Sequence, residues 1–85
     1  MKFRILEISV QTYLIDIGNC INECLIAKKI LNISYDKYIE ILIRNNAFYC
    51  GNLIWNYSYF FKIKEDAENV IKELEPYLIM AKLTE

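Results

Sequence analysis

The sequence predicts a single small α+β domain over residues 1–85, in the order β-α-α-β-β-α, with a small antiparallel sheet of about three strands packed on helices. Three kinds of signal carry that expectation. Apolar residues alternate with polar ones near the start of the chain and again just before residue 63, the spacing of a half-buried strand. Helical spacing, with capping residues at its boundaries, fills 19–46 and 64–83. Gly51-Asn52 stands between two aromatic-rich runs, which is a hairpin signal because Gly tolerates positive φ at the first central position of a tight turn. The length suits one domain rather than two.

Residues 2–10, KFRILEISV, read as a strand with Leu6, Ile8 and Val10 on one face and Glu7 and Ser9 on the other, β-character continuing through QTYLI to Ile15. Residues 19–31 read as a helix with Asn19 as its N-cap. Its apolar stripe is Cys20, Ile21, Cys24, Leu25, Ala27 and Leu31, with Ile26 and Ile30 off the stripe. Ser34 caps a second helix from Tyr35, and Asp36 suits the positive end of its dipole. Tyr35, Tyr38, Ile39, Leu42 and Ile43 are its expected inward residues. Strands follow at 47–50 and 53–63; in the second, Tyr57, Tyr59, Phe61 and Ile63 share the core face and Phe60 points the other way. The last helix carries Ala67, Val70, Ile71, Leu74, Leu78 and Ala81 inward, with Pro76 expected to kink it.

Apolar residues, with the seven tyrosines counted, make up 55% of the chain, a large share to bury in so small a domain. A domain this small leaves a large part of its surface in water, so a partner protein or a homodimer is the simplest cover for the surplus. Ile, Asn, Lys, Tyr and Phe supply about half of the residues; their codons are AT-rich, which points to an AT-rich genome. Net charge is −1, but residues 1–64 carry +3 and residues 65–85 carry −4. The last segment is an acidic face on a weakly basic body.

Chemistry is sparse. There is no histidine, the commonest general base. Neither glycine sits in a phosphate-binding loop, and no nucleophile elbow is present. The chain is therefore expected not to be an enzyme and to need no cofactor. Cys20, Cys24 and Cys50 are an odd set without the four-ligand spacing of a zinc site, and they read as packing residues. No run of apolar residues is long enough to span a membrane, and Glu7 interrupts what would be a signal-peptide core. A cytoplasmic protein is expected.

Two resemblances qualify this reading. ECLIAKKILNISYDKYIEILI followed by the hairpin around CGNLIWNYSYFF resembles the helix-turn-helix and wing of winged-helix proteins, which implies a DNA-binding regulator as the alternative function. Against it, the second helix carries Asp36, Lys37, Glu40 and Arg44, a neutral set ill suited to phosphate contacts. The ending YFFKIKEDAENVIKELEPYLIMAKL resembles small phage and prophage proteins of AT-rich bacteria. That resemblance implies an inhibitor of host defence, anti-CRISPR-like proteins among them, acting in the host cytoplasm by binding a host protein or nuclease complex. Nucleic acid is then met only through the partner.

The expected function is accordingly a non-enzymatic protein-binding module. Its candidate interface residues are the aromatics Tyr49, Trp55 and Phe60, expected at the surface, and the acids Glu65, Asp66, Glu68, Glu73 and Glu75 of the last helix.

Overall fold

Residues 3–17 form a hairpin where one long strand was expected. Strand β1 (Phe3–Ser9) pairs antiparallel with β2 (Thr12–Ile17), Phe3 opposite Ile17 and Glu7 opposite Tyr13, with a bulge between Glu7 and Ser9. The computed structural model describes residues 1–49 and 59–83. The turn escapes sequence reading because Val10-Gln11 holds none of the usual turn residues, yet Gln11 adopts a left-handed φ of 53°. Leu14, Ile15, Asp16 and Ile17 are all buried, so β2 is covered on both sides and shows no alternation.

A second tight turn follows. Gly18 and Asn19 have φ of 59° and 63°, and Ile17 and Cys20 exchange both backbone hydrogen bonds at 3.0 Å. Positive φ at both central positions is the type I′ geometry, and Gly and Asn are the residues that tolerate it. Asn19 is thus a turn residue and not the expected N-cap. That role belongs to Asn22, whose side-chain oxygen accepts from the Leu25 N–H at 3.0 Å.

Helix α1 (Glu23–Leu25) passes directly into a π-helical segment, Ile26–Leu31. Its i→i+5 bonding brings residues five apart onto one side. Ile26, Ala27 and Leu31 are therefore buried together, while Cys24 and Leu25 of the expected stripe are exposed. The late start and the change of helical period together moved the apolar face. Asn32, left-handed at φ 56°, ends the segment with its N–H on the Ala27 carbonyl.

Helix α2 (Tyr35–Arg44) starts as expected, with the Ser34 hydroxyl accepting from the Lys37 N–H at 3.1 Å. Tyr38, Ile39, Ile41 and Leu42 are buried, whereas Ile43, expected inward, is exposed. Strands β3 (Phe48–Tyr49) and β4 (Tyr59–Phe60) pair antiparallel. The Gly51-Asn52 turn, Cys50, Trp55 and Tyr57 lie outside the described residues. Helix α3 (Lys64–Leu83) runs unbroken through Pro76.

Among the described residues, the two small sheets are joined by one residue pair. Tyr13 and Phe61 exchange backbone hydrogen bonds at 2.8 Å. Among the described residues, the result is an α+β fold of order β-β-α-α-β-β-α with two two-stranded antiparallel sheets, where one sheet of about three strands was expected. The core gathers Ile15, Ile17, Ile26, Leu31, Tyr38 and Phe61 against Ala67, Val70, Leu74 and Leu78 of α3. A radius of gyration of 12.0 Å matches the roughly 12 Å of a folded chain this long. No helix among the described residues is long and apolar enough to cross a membrane.

Candidate interaction surface

Helix α3 positions all five candidate acids, and its packing separates them. Ala67, Val70, Leu74 and Leu78 are buried, which turns Glu65, Glu68, Lys72, Glu75, Pro76 and Ile79 outward; all six are exposed. These positions recur at three and four residues and so form one strip along the helix. Glu65, Glu68 and Glu75 make no ion pair among the described residues. Toward the C-terminal end the surface turns apolar, with Ile79 60%, Met80 62% and Leu83 79% exposed.

Glu73 points elsewhere. Its carboxylate is ion-paired with Arg44 and accepts from the Asn45 amide at 2.5 Å. The same amide donates to the Ile41 carbonyl at 2.9 Å. These contacts fasten the end of α2 to the middle of α3. The hydrogen bond from Asn45, helped by Arg44 and opposed by partial burial, holds the Glu73 carboxyl below its usual pKa. Asp66 is half-buried and receives a long contact of 3.5 Å from the Asn46 amide. Of the five acids, then, Glu65, Glu68 and Glu75 stand exposed on one strip, while Asp66 and Glu73 face the body of the protein.

The aromatic candidates divide as well. Tyr49 is 64% exposed and packs against Tyr59 across the β3–β4 pair, ring centroids 5.5 Å apart. Phe60 is 5% exposed and packs on Phe48 at 5.7 Å, so its expected position at the surface does not hold. Ile63, expected in the core, is 59% exposed. The cause is the chain's step from β4 to the Tyr13–Phe61 bridge. Strict alternation stops there, and neighbouring Phe60 and Phe61 are both buried. Trp55 lies outside the described residues.

Two acids whose spacing in the sequence suggests no carboxylate pair prove to be buried. Asp16 is 3% exposed and accepts from Arg4 Nε at 3.1 Å and Arg4 Nη2 at 3.0 Å. Arg4 Nη2 also donates to the Asn19 side chain. Glu23, 6% exposed, accepts from the Tyr59 N–H at 3.1 Å and so ties α1 to β4. Burial, and then the Glu23 charge, push the Tyr38 hydroxyl far above its ordinary pKa. Neither acid had a sequence signal, since both act on groups distant in the chain.

Among the described residues, open grooves lie beside α3. One of about 200 Å³ lies against α2 and is lined by Lys37, Glu40, Ile41, Arg44, Glu73 and Tyr77. Its cations are engaged: Lys37 Nζ sits 5.1 Å from the centre of the Tyr77 ring, and Arg44 lies between Glu40 and Glu73. Another, of about 140 Å³, is walled by Met1, Ile30, Leu78 and Ala81 and flanked by Lys29 and Lys82. Among the described residues, no three Cys, Asp or Glu side chains gather as a metal site would require. No protein-family model, curated protein or solved structure matches this chain.

Proposed function

We propose that this chain is a non-enzymatic protein-binding module that acts by occupying a partner's surface, with the outward strip of α3 as the contact. The observation that carries the reading is the set Glu65, Glu68 and Glu75, exposed on one strip without an ion pair among the described residues and continued by exposed Ile79, Met80 and Leu83. Carboxylates in excess over Lys72 on one exposed helix face steer association with a surface of the opposite sign, and exposed apolar residues supply what burial can gain. The resemblance of the chain's ending to small phage proteins gives the partner a class. It is a host nuclease complex with a basic nucleic-acid channel, which the acidic strip would fill, and the chain is then an anti-CRISPR-like inhibitor.

The winged-helix alternative draws less support. Arg44 on α2 is held by Glu40 and Glu73, and Lys37 rests on Tyr77, so little positive charge is left on that helix to meet phosphate.

The test is affinity capture from the native host, followed by direct binding to the captured protein. Reversal of Glu65, Glu68 and Glu75 to Lys should weaken binding at least about tenfold with the melting temperature unchanged, since exposed charges set association far more than stability. Undiminished binding by the triple variant would remove α3 as the contact. Duplex DNA bound tighter than about 10⁻⁴ M at low salt would favour the regulator reading instead.

A further inference from the structure

The strip on α3 has a property that no foreign partner is needed to explain. Its residues are Glu65, Glu68, Lys72, Glu75, Ile79 and Lys82, all exposed and spaced alternately by three and four. That is the spacing along which two helices pack side by side. Parallel pairing of two copies would set each Glu against the same Glu and Lys72 against Lys72. Antiparallel pairing about a point between residues 73 and 74 does the opposite. Glu65 of one copy meets Lys82 of the other, Lys72 meets Glu75, and Glu68 lies over Ile79. Leu83, 79% exposed, falls under the aliphatic stem of Lys64.

We infer that α3 is the interface of an antiparallel homodimer, in which two copies pair along this strip in the register 65 to 82 and 72 to 75. A two-fold interface must be self-complementary, and this strip is so in one orientation only. Each charge pair occurs twice by symmetry, four pairs in all. The exposed Ile79 and Leu83 are covered at both ends, and Met80, 62% exposed, borders them. The contact runs about 26 Å along each helix. An interface one helix wide falls at the small end of specific interfaces, and exposed ion pairs add little each. The dimer is therefore weak, in the micromolar to millimolar range, and sensitive to salt. It does not depend on the partner reading. Because the same strip serves both, a partner protein must displace the second copy.

Sedimentation velocity over a concentration series to about 1 mM, at low and at high salt, tests the inference. The wild-type chain should dimerise, less so at high salt. Lys72→Glu alone and Glu75→Lys alone should each weaken dimerisation at least about tenfold, because symmetry doubles every mismatch. The double swap Lys72→Glu with Glu75→Lys should restore it to within about threefold, since the pair is rebuilt with its signs exchanged. A chain that stays monomeric throughout, or a dimer indifferent to the single reversals, overturns the inference. So does a dimer that the double swap fails to restore while circular dichroism shows the variant folded. Monomeric behaviour would leave capture of a host protein untouched, and failed capture would leave the dimer standing, so the two readings fail separately.

Discussion

Arg4 is 56% exposed along its side chain, but the carboxylate it holds is 4% exposed. Removing Arg4 leaves Asp16 as a buried charge with its cation gone, and hydrogen bonds to charged groups are worth about 1.5–3 kcal/mol. Arg4→Ala should lower the unfolding free energy by about that amount in urea titration, and Arg4→Ala with Asp16→Asn should recover part of it. Tyr38 gives a second expectation. Burial raises its folded pKa well above the ordinary tyrosine value of 10.0. A raised pKa means stability that is complete below the unfolded value and lost as pH rises beyond it. The protein should therefore lose stability from about pH 10 upward. Tyr38→Phe, compared with wild type by thermal melts at pH 7 and pH 11, should show a smaller alkaline loss.

Among the elements, α3 was the most legible in the sequence and α1 the least. Ala67, Val70, Leu74 and Leu78 keep helical spacing and are all buried, so a local rule applied over many turns located both the helix and its inner face. Pro76 interrupts only the hydrogen-bond ladder. It lacks the N–H that would reach Lys72, and it is exposed, so its ring fills no core position. Pro76→Ala should raise stability by about 1–3 kcal/mol, read from the denaturant midpoint; a fall would mean that the proline ring itself serves the packing of α3. In α1, by contrast, three residues of α-helix give way to a π-turn. A stripe calculated for 3.6 residues per turn then assigns Cys24 and Leu25 to the core, and both lie at the surface. The Ser34 cap was readable because capping is local: one hydroxyl meets a backbone N–H three residues on.

At the scale of the whole molecule, the Glu73 contacts with Arg44 and Asn45 bind the two long helices. A folded pKa held below the unfolded value contributes stability that is present above the ordinary carboxylate range and lost as pH falls through the folded value. Acid should thus loosen the α2–α3 junction. Glu73→Gln should lower stability near neutral pH and flatten the acid limb of the stability–pH curve, measured by urea midpoints between pH 2 and pH 7. The candidate surface was half legible for the same reason. The acids of α3 were visible as a charge run, but only packing against α2 separates the engaged Glu73 from the exposed Glu65, Glu68 and Glu75.

Local periodicity and capping by themselves determined the α+β class, the start of α2, the extent and inner face of α3 and the acidic character of its outer strip. Each follows from contacts between residues three or four apart, or from the two faces of a pleated strand. Tertiary structure alone decided the first hairpin, the bridge between the sheets, the burial of Phe60 and the roles of Asp16, Glu23 and Glu73. The three carboxylates act on groups 12 to 36 residues distant along the chain, and the bridge joins Tyr13 to Phe61, farther apart still. A buried carboxylate is stable only where the fold delivers a donor to it, and nothing in the surrounding sequence announces which donor that will be.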